Sequence, residues 1–152
     1  MKIMAIDPGT LESAYVVWDS YKEEIEDKAI LPNEHLERFL RNMKPFNDLV
    51  IERIDSYGMP VGAETFTTCI WIGRFMGAYG GADLIGRKEV KKALCGSLRA
   101  KDKDIRAILI KSYGKPGTKK EPGKMYGMKS HLWSALAVAV AYEKIIKSQE
   151  SS

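Results

Sequence analysis

The feature that most constrains this chain is the stretch of residues 2–9, in which a short apolar run ends in an acid and a turn. Such a run, stopped by Pro8 and Gly9, is typical of a buried central strand. Asp7 then lies at the carboxyl end of that strand, where open α/β sheets place their sites. A carboxylate held there by rigid backbone suits a metal ligand, although an Asp that only stabilises its own turn gives the same pattern.

Length and composition indicate one domain that spans residues 1–152 and builds its own core. No apolar run reaches the roughly 18 residues that a membrane span needs, and acids interrupt the first 20 residues, which argues against a signal peptide. Cys69 and Cys95 show no metal-ligand spacing. We therefore expect reduced thiols in a cytoplasmic protein.

Charge is divided unevenly along the chain. The net charge is +4, but acids outnumber bases in residues 1–86, whereas Lys and Arg dominate residues 87–152. A basic half beside an acidic half predicts a face for a polyanion.

A second apolar run, Leu-Val-Ile at 49–51, also ends in an acid, Glu52. A helix is expected between the two runs, opened by Asn33 as its N-cap and ended by Pro45. This crossover favours parallel pairing of the two strands, which would bring Asp7 and Glu52 to one sheet edge. The alternative for Glu52 is a salt bridge with Arg53 or another surface cation.

Residues 64–79 read as a long helix that is apolar on more than one side. Phe66, Ile70, Gly73 and Gly77 recur at spacings of three or four residues. Such a helix is either central to one subunit or half of a subunit interface.

The remaining elements lie in the basic half. We predict a brief strand at 83–86 and helices at 87–94, 103–113 and 130–147. Residues 114–129 contain four Gly, two Pro and five Lys, so they are predicted to form a flexible basic loop. Residues 148–152 are expected to fray.

The last predicted helix begins with His131 and Ser134, which share one helical face. Carboxylates and an imidazole that converge at a sheet edge suit Mg²⁺ or Mn²⁺. Two such ions can align a water for attack on a phosphodiester and stabilise the departing oxygen.

Together, the blocks at 6–10, 51–52, 90–96 and 131–139 resemble the RuvC-type Holliday junction resolvases, within the RNase H-like superfamily. The compact size points to a phage-encoded member, hence to the host cytoplasm. The resemblance implies an α/β fold with a mixed five-stranded sheet flanked by helices on both faces. It also implies a homodimer that binds four-way DNA junctions and nicks two strands of like polarity, with Mg²⁺ or Mn²⁺, two ions per active site.

The resemblance assigns the site residues as well. Asp7 and Glu52 match the first two family acids and His131 the third position, so these three are the implied metal ligands. Ser134 stands at the fourth catalytic position, where the family has Asp, and a serine hydroxyl is a poor ligand for a divalent ion.

Three explanations of the serine stay open. The other three ligands suffice, a nearby acid such as Asp55 or Glu64 substitutes, or cleavage is weak and binding is the main activity. Without the resemblance, His131 reads equally as a helix-terminal residue with only local hydrogen bonds.

DNA contacts are expected from the basic half. Phosphate neutralisation would make binding fall steeply with salt, and the expected residues are Lys91, Lys92, Arg99, Lys101 and Lys103. Arg87 and Lys88 are weaker candidates, and the loop lysines are expected to grip a junction arm.

Tyr57 matches an aromatic that the family uses at the junction centre, where it would stack on a base. The alternative is that Tyr57 packs under its own loop.

Two other functions compete with the nuclease. One is a branched-DNA-binding protein with a decayed site, which Ser134 favours. The other is a sugar-kinase-like phosphotransferase, for which the chain is short and the basic half unexplained. The sequence names no helicase partner.

Overall fold

A mixed five-stranded sheet forms the centre of the fold in the computed structural model, which describes residues 1–42, 46 and 48–151. The strands are β1 (Lys2–Asp7), β2 (Glu12–Asp19), β3 (Glu24–Pro32), β4 (Asp48–Glu52) and β5 (Asp83–Ile85). Their order across the sheet is β3-β2-β1-β4-β5. β1 pairs antiparallel with β2 and parallel with β4, and β5 runs parallel to β4.

In the part of the chain that the structure describes, five helices cover the two faces of this sheet. They are α1 (Asn33–Asn42), α2 (Ala63–Tyr79), α3 (Arg87–Cys95), α4 (Asp102–Tyr113) and α5 (His131–Glu150). Because strand side chains alternate between faces, Met4 and Ile6 pack with α1 and α2, whereas Ile3 and Ala5 pack with α3, α4 and α5. The predicted α/β class, with a five-stranded sheet between helical layers, is confirmed.

Parallel pairing of β1 with β4 is confirmed as well, because α1 supplies the crossover between them. The predicted helix end at Pro45 lies outside the described residues. At the other end of the chain, α5 continues to Glu150, so residues 148–150 are helical where a frayed tail was expected.

The Gly- and Lys-rich segment 114–129 packs against the domain. Met125 is fully buried and Met128 is buried in the same core. Its first half forms a small turn in which the Gly123 N–H donates to the Pro116 carbonyl at 2.8 Å and Gly117 bridges Pro122. The flexibility expected of this loop stays a prediction.

Within the described part of the chain, no helix combines the length and the apolar character needed to cross a membrane.

Candidate functional site

Asp7 and Glu52 end neighbouring parallel strands at the same edge of the sheet. Ile6 lies opposite Ile51 in the register, so the acid that follows each of them leaves the sheet at its carboxyl edge. Both side chains are largely shielded from solvent, with 12% of the Asp7 and 16% of the Glu52 side chain exposed. The predicted juxtaposition of the two carboxylates is therefore present in the fold.

The turn after Asp7 is fixed by hydrogen bonds from two other elements. The Gly9 N–H donates to Ser13 Oγ at 3.0 Å, and Asn33 Nδ2 donates to the Gly9 carbonyl at 2.9 Å. Ser13 Oγ in turn donates to Asn33 Oδ1 at 2.6 Å. Asn33 begins α1 as expected, but the contacts of its side chain are with this turn. A Cβ at Gly9 would lie 2.3 Å from the Glu12 carbonyl oxygen, so the turn admits only glycine.

His131 begins α5 beside the first acid. Its Nδ1 lies 2.8 Å from Asp7 Oδ2, while 71% of its side chain remains exposed. The preceding residue, Ser130, has φ of 49°, a left-handed conformation that costs a non-glycine residue energy and is concentrated at functional sites. The alternative interpretation, a histidine with only local hydrogen bonds, does not describe this contact, which joins α5 to β1.

Burial dominates the electrostatics of the two acids. It raises the pKa of Asp7, against the opposing effect of His131 and, more weakly, Arg87. Burial first and the Asp7 charge second raise the pKa of Glu52 to about 7, with Arg87 and His131 acting in the opposite direction. Glu52 Oε2 is buried and accepts no hydrogen bond from the described residues. A buried acceptor without a donor is costly, and a bound cation would remove that cost.

Arg87 belongs to the site, although its sequence position suggested only a weak DNA contact. It is the first residue of α3, which starts two residues after the end of β5. Its Nη1 lies 3.7 Å from Glu52 Oε2, and its Nη2 pairs with Asp102 Oδ1 at the start of α4. In the sequence, the only sign that Arg87 belongs to the site is the turn at Gly86, where a strand ends and a helix begins. That strand, β5, lies next to β4, which ends in Glu52.

Ser134 lines a small cavity that it shares with Arg87, the residue paired with Glu52. This cavity of about 50 Å³ is also lined by Asp102, Ser130 and Arg106. The position where the resemblance expects a carboxylate therefore holds a hydroxyl, with a guanidinium on the same cavity wall.

Of the two acids proposed as substitute ligands, Asp55 is held by an arginine, whereas the Glu64 carbonyl accepts from Thr10 Oγ1 at 3.4 Å, three residues after Asp7. Asp55 pairs with Arg53 Nε at 3.1 Å, and that pair packs so closely on Gly86 that a Cβ there would clash at 2.7 Å. Glu64 lies exposed in the first turn of α2. An acid that the sequence did not single out, Glu12, lines a cavity of about 110 Å³ together with Asp7 and His131.

The donor set suits a divalent cation, but the ligands are not gathered into a closed cage. Among the described residues, no three His, Cys, Asp or Glu side chains come together as a preformed metal site. Asp7 and His131 contact each other instead. Two shielded carboxylates, one with an oxygen that accepts no hydrogen bond from the described residues, are nevertheless the hard oxygen ligands that Mg²⁺ and Mn²⁺ take, and a nearby imidazole is compatible with Mn²⁺.

The expected DNA contacts surround this site unevenly. Lys101 and Lys103 are exposed on either side of Asp102, the residue that pairs with Arg87. Arg99 is exposed in the loop before α4, and Lys91 is half-buried on α3. Lys92 instead lines a groove with Lys144 and Ser148, which belong to the far half of α5.

Tyr57 lies in the loop that follows Glu52, with φ of 51°. Half of its surface is exposed, and Lys88 Nζ lies 4.2 Å from its ring centre. The ring is thus open to a partner on part of its surface, as base stacking requires, and is not packed under its own loop.

Comparisons with known proteins identify the fold. No family model matches the chain, and no curated protein matches it. Among solved structures, Thermus thermophilus RuvC superposes with a TM-score of 0.75 at 17% identity, covering 98% of this chain and 97% of that one. T. thermophilus RuvC in complex with a Holliday junction substrate superposes with a TM-score of 0.69 at 19% identity, covering 98% and 96%. The chain therefore has the RNase H-like fold of RuvC.

Proposed function

We propose that this protein is a divalent-metal-dependent endonuclease that binds four-way DNA junctions and nicks them in pairs. The observation on which this rests most is the meeting of Asp7 and Glu52 at one sheet edge, with a buried Glu52 oxygen that has no donor among the described residues. The same fold in a RuvC solved with a Holliday junction substrate supports the choice of DNA.

The carboxylates and His131 would hold the cation, which supplies Lewis acidity to the phosphate and to an attacking water. Asp7 and Glu52 present oxygens whose direction is fixed by the strands. His131 can turn from Asp7 because most of its ring is exposed. In hydrolysis the water oxygen bonds to phosphorus and the bond to the departing sugar oxygen breaks; that oxygen takes up a proton, and the water gives one to solvent.

The basic rim would draw DNA to this negatively charged edge. Lys101, Lys103 and Arg99 are exposed next to the Arg87–Asp102 pair. None of these three forms an ion pair with another described residue, so their charges are available to phosphates. Tyr57 would then stack on a base at the junction centre, with Lys88 alongside.

A homodimer is part of this proposal, because paired nicks need two sites. The outer side of α2 offers a surface, which we call the α2 stripe: Phe66, Ile70, Gly73 and Gly77. Phe66 is 60% and Ile70 64% exposed, and the space beside both glycines is open. A second copy of α2 could approach closely over the glycines and cover the two apolar side chains. We place the dimer in the cytoplasm, as expected for a nuclease of phage or host DNA.

The test is Asp7→Asn, which keeps the size of the side chain and removes its charge. We expect junction cleavage in Mg²⁺ or Mn²⁺ to fall by about 100-fold or more, with junction affinity retained. The matched control is Asp48→Asn, the same change at the opposite end of β4, which should cut normally. Cleavage by Asp7→Asn at the normal rate would refute the site.

A non-cleaving junction binder is the second candidate, favoured by the Asp7–His131 contact and by Ser134. It predicts tight junction binding with no nicks from the unmodified protein, and nicks once Ser134→Asp restores a carboxylate.

A further inference from the structure

We propose that the Arg87 guanidinium takes the place of a second metal ion, so that each site binds one divalent cation. This inference deepens the proposed nuclease function and rests on it. It departs from the two ions that the family resemblance implies, and it follows from where α3 begins and from what lines the Ser134 cavity.

The position of Arg87 is set by main-chain structure. Ile85 pairs with Glu52 across the parallel strands β4 and β5, and α3 starts two residues further on. The Glu89 carboxylate caps this start by accepting from the Gly86 N–H at 3.2 Å. Glu89 also pairs with Arg53 at 2.7 Å, which ties the first turn of α3 to the residue after Glu52. The base of the Arg87 side chain is therefore held at the site edge.

Two carboxylates hold the head group of Arg87. It lies 3.7 Å from Glu52 Oε2 and pairs with Asp102. The Glu52 distance is that of an ion pair without a hydrogen bond, so the Glu52 oxygen is still free to bind a cation. Three-quarters of the Arg87 side chain is shielded from solvent, which strengthens its field at the site.

The charge balance favours a single ion. A site with a carboxylate at position 134 beside Asp7, Glu52 and Asp102, and with no arginine, would present four negative charges, which two dications would neutralise. In this chain Ser134 contributes no charge, and Arg87 offsets one of the three negative charges of Asp7, Glu52 and Asp102. Two negative charges remain, which one dication neutralises, and a second dication would meet strong repulsion in a partly buried site.

An arginine beside Glu52 is well suited to bind the phosphate that is cleaved. A guanidinium presents a planar fork of N–H donors that matches two phosphate oxygens. Fixed cations aimed at developing oxyanion charge stabilise phosphoryl transfer in the manner of a metal ion. Arg87 can donate to the phosphate while Asp102 keeps the guanidinium oriented, and no group has to be recruited from solution.

The first experiment counts Mn²⁺ ions on the full-length protein without DNA, by calorimetric titration and by the electron paramagnetic resonance spectrum. We expect one Mn²⁺ per chain in the unmodified protein and no spin-coupled pair. Ser134→Asp combined with Arg87→Gln should bind two, with a coupled signal. Two ions, or none, on the unmodified protein would overturn the inference without recourse to any variant.

The second experiment measures nicking at saturating junction DNA. Arg87→Ala should lower the rate by about 100-fold and leave junction affinity within a few-fold, whereas Arg87→Lys should recover part of the loss. The matched control is Arg106→Ala, on the same cavity wall but stacked on Trp133 at 5.3 Å, which should nick normally. Normal nicking by Arg87→Ala would also overturn the inference.

The two proposals fail in different ways. Junction cleavage with two Mn²⁺ per chain refutes the single-ion site and leaves the nuclease standing. One Mn²⁺ per chain without cleavage of any junction refutes the nuclease function but agrees with a site that binds a single ion.

Discussion

The residues at the sheet edge differ in how visible they were in the sequence. Asp7 and Glu52 were predictable because each ends an apolar run, and parallel pairing brings strand ends together. His131 needed the family resemblance, since nothing local distinguishes it from any polar residue at a helix start. Arg87 was missed as a site residue because its role depends on the docking of α3 against the end of β5, a tertiary arrangement that its own neighbours in the sequence do not encode.

The shielded Glu52 carboxylate should destabilise the metal-free protein at alkaline pH. Its pKa is raised in the folded protein from 4.5 to about 7, so the folded state holds this proton more tightly than the unfolded state does. The protonated Glu52 side chain therefore makes its full contribution to the free energy of unfolding below about pH 4.5. This contribution is lost as the pH rises through about 7.

Glu52→Gln should remove this cost, because glutamine does not ionise. Without metal, we expect the variant to gain up to about 3 kcal/mol in free energy of unfolding near pH 8. The gain should shrink towards zero near pH 4.5. Urea unfolding at the two pH values measures it, and a gain of the same size at both would show that charge is not the cause.

At the scale of elements, the apolar pattern predicted the five helices found among the described residues, and the crossover through α1 predicted the parallel β1–β4 pair. The sequence pattern could not show which side of α2 packs against the sheet, because this helix carries apolar side chains on more than one side. The structure buries Trp71, Ile72 and Phe75 and leaves the α2 stripe outside. The burial of Met125 in segment 114–129 could not be predicted from the sequence either. A composition rich in Gly and Lys predicts a loop whether or not one of its side chains inserts into the core.

The α2 stripe should be the dimer contact. Ile70→Glu places a charge in the middle of that apolar surface, so we expect the mass measured by light scattering to fall from dimer to monomer, with the fold intact by circular dichroism. The matched control is Tyr21→Glu, an equally drastic change at a side chain that is 90% exposed on the turn between β2 and β3. A dimer that survives Ile70→Glu would place the interface elsewhere.

Across the whole molecule, the uneven division of charge gains a structural meaning. The acidic first half supplies Asp7 and Glu52, and the basic second half supplies the helices whose first residues surround them. Sequence predicted this face for a polyanion, but not which lysines lie near the site: Lys101 and Lys103 do, whereas Lys92 lies in the groove beside α5.

Removing both charges next to the site should weaken junction binding through its salt dependence. The double variant Lys101→Ala and Lys103→Ala should reduce the slope of log affinity against log salt by about 2, since each phosphate contact contributes about 0.9. Lys22→Ala with Lys111→Ala serves as control, because Lys22 follows β2 at the end of the strands opposite Asp7 and Lys111 lies in the last turn of α4, away from its start at Asp102. An unchanged slope in the first pair would remove these lysines from the DNA face.

Junction-selective cleavage at the Asp7 site is tested by comparing two DNA substrates of the same sequence, a four-way junction and a linear duplex, each incubated with the purified protein in Mn²⁺. We expect paired nicks on opposite strands of like polarity in the junction, abolished by Asp7→Asn, with little cutting of the duplex. Equal cutting of both substrates, or nicks that persist in Asp7→Asn, would contradict this prediction.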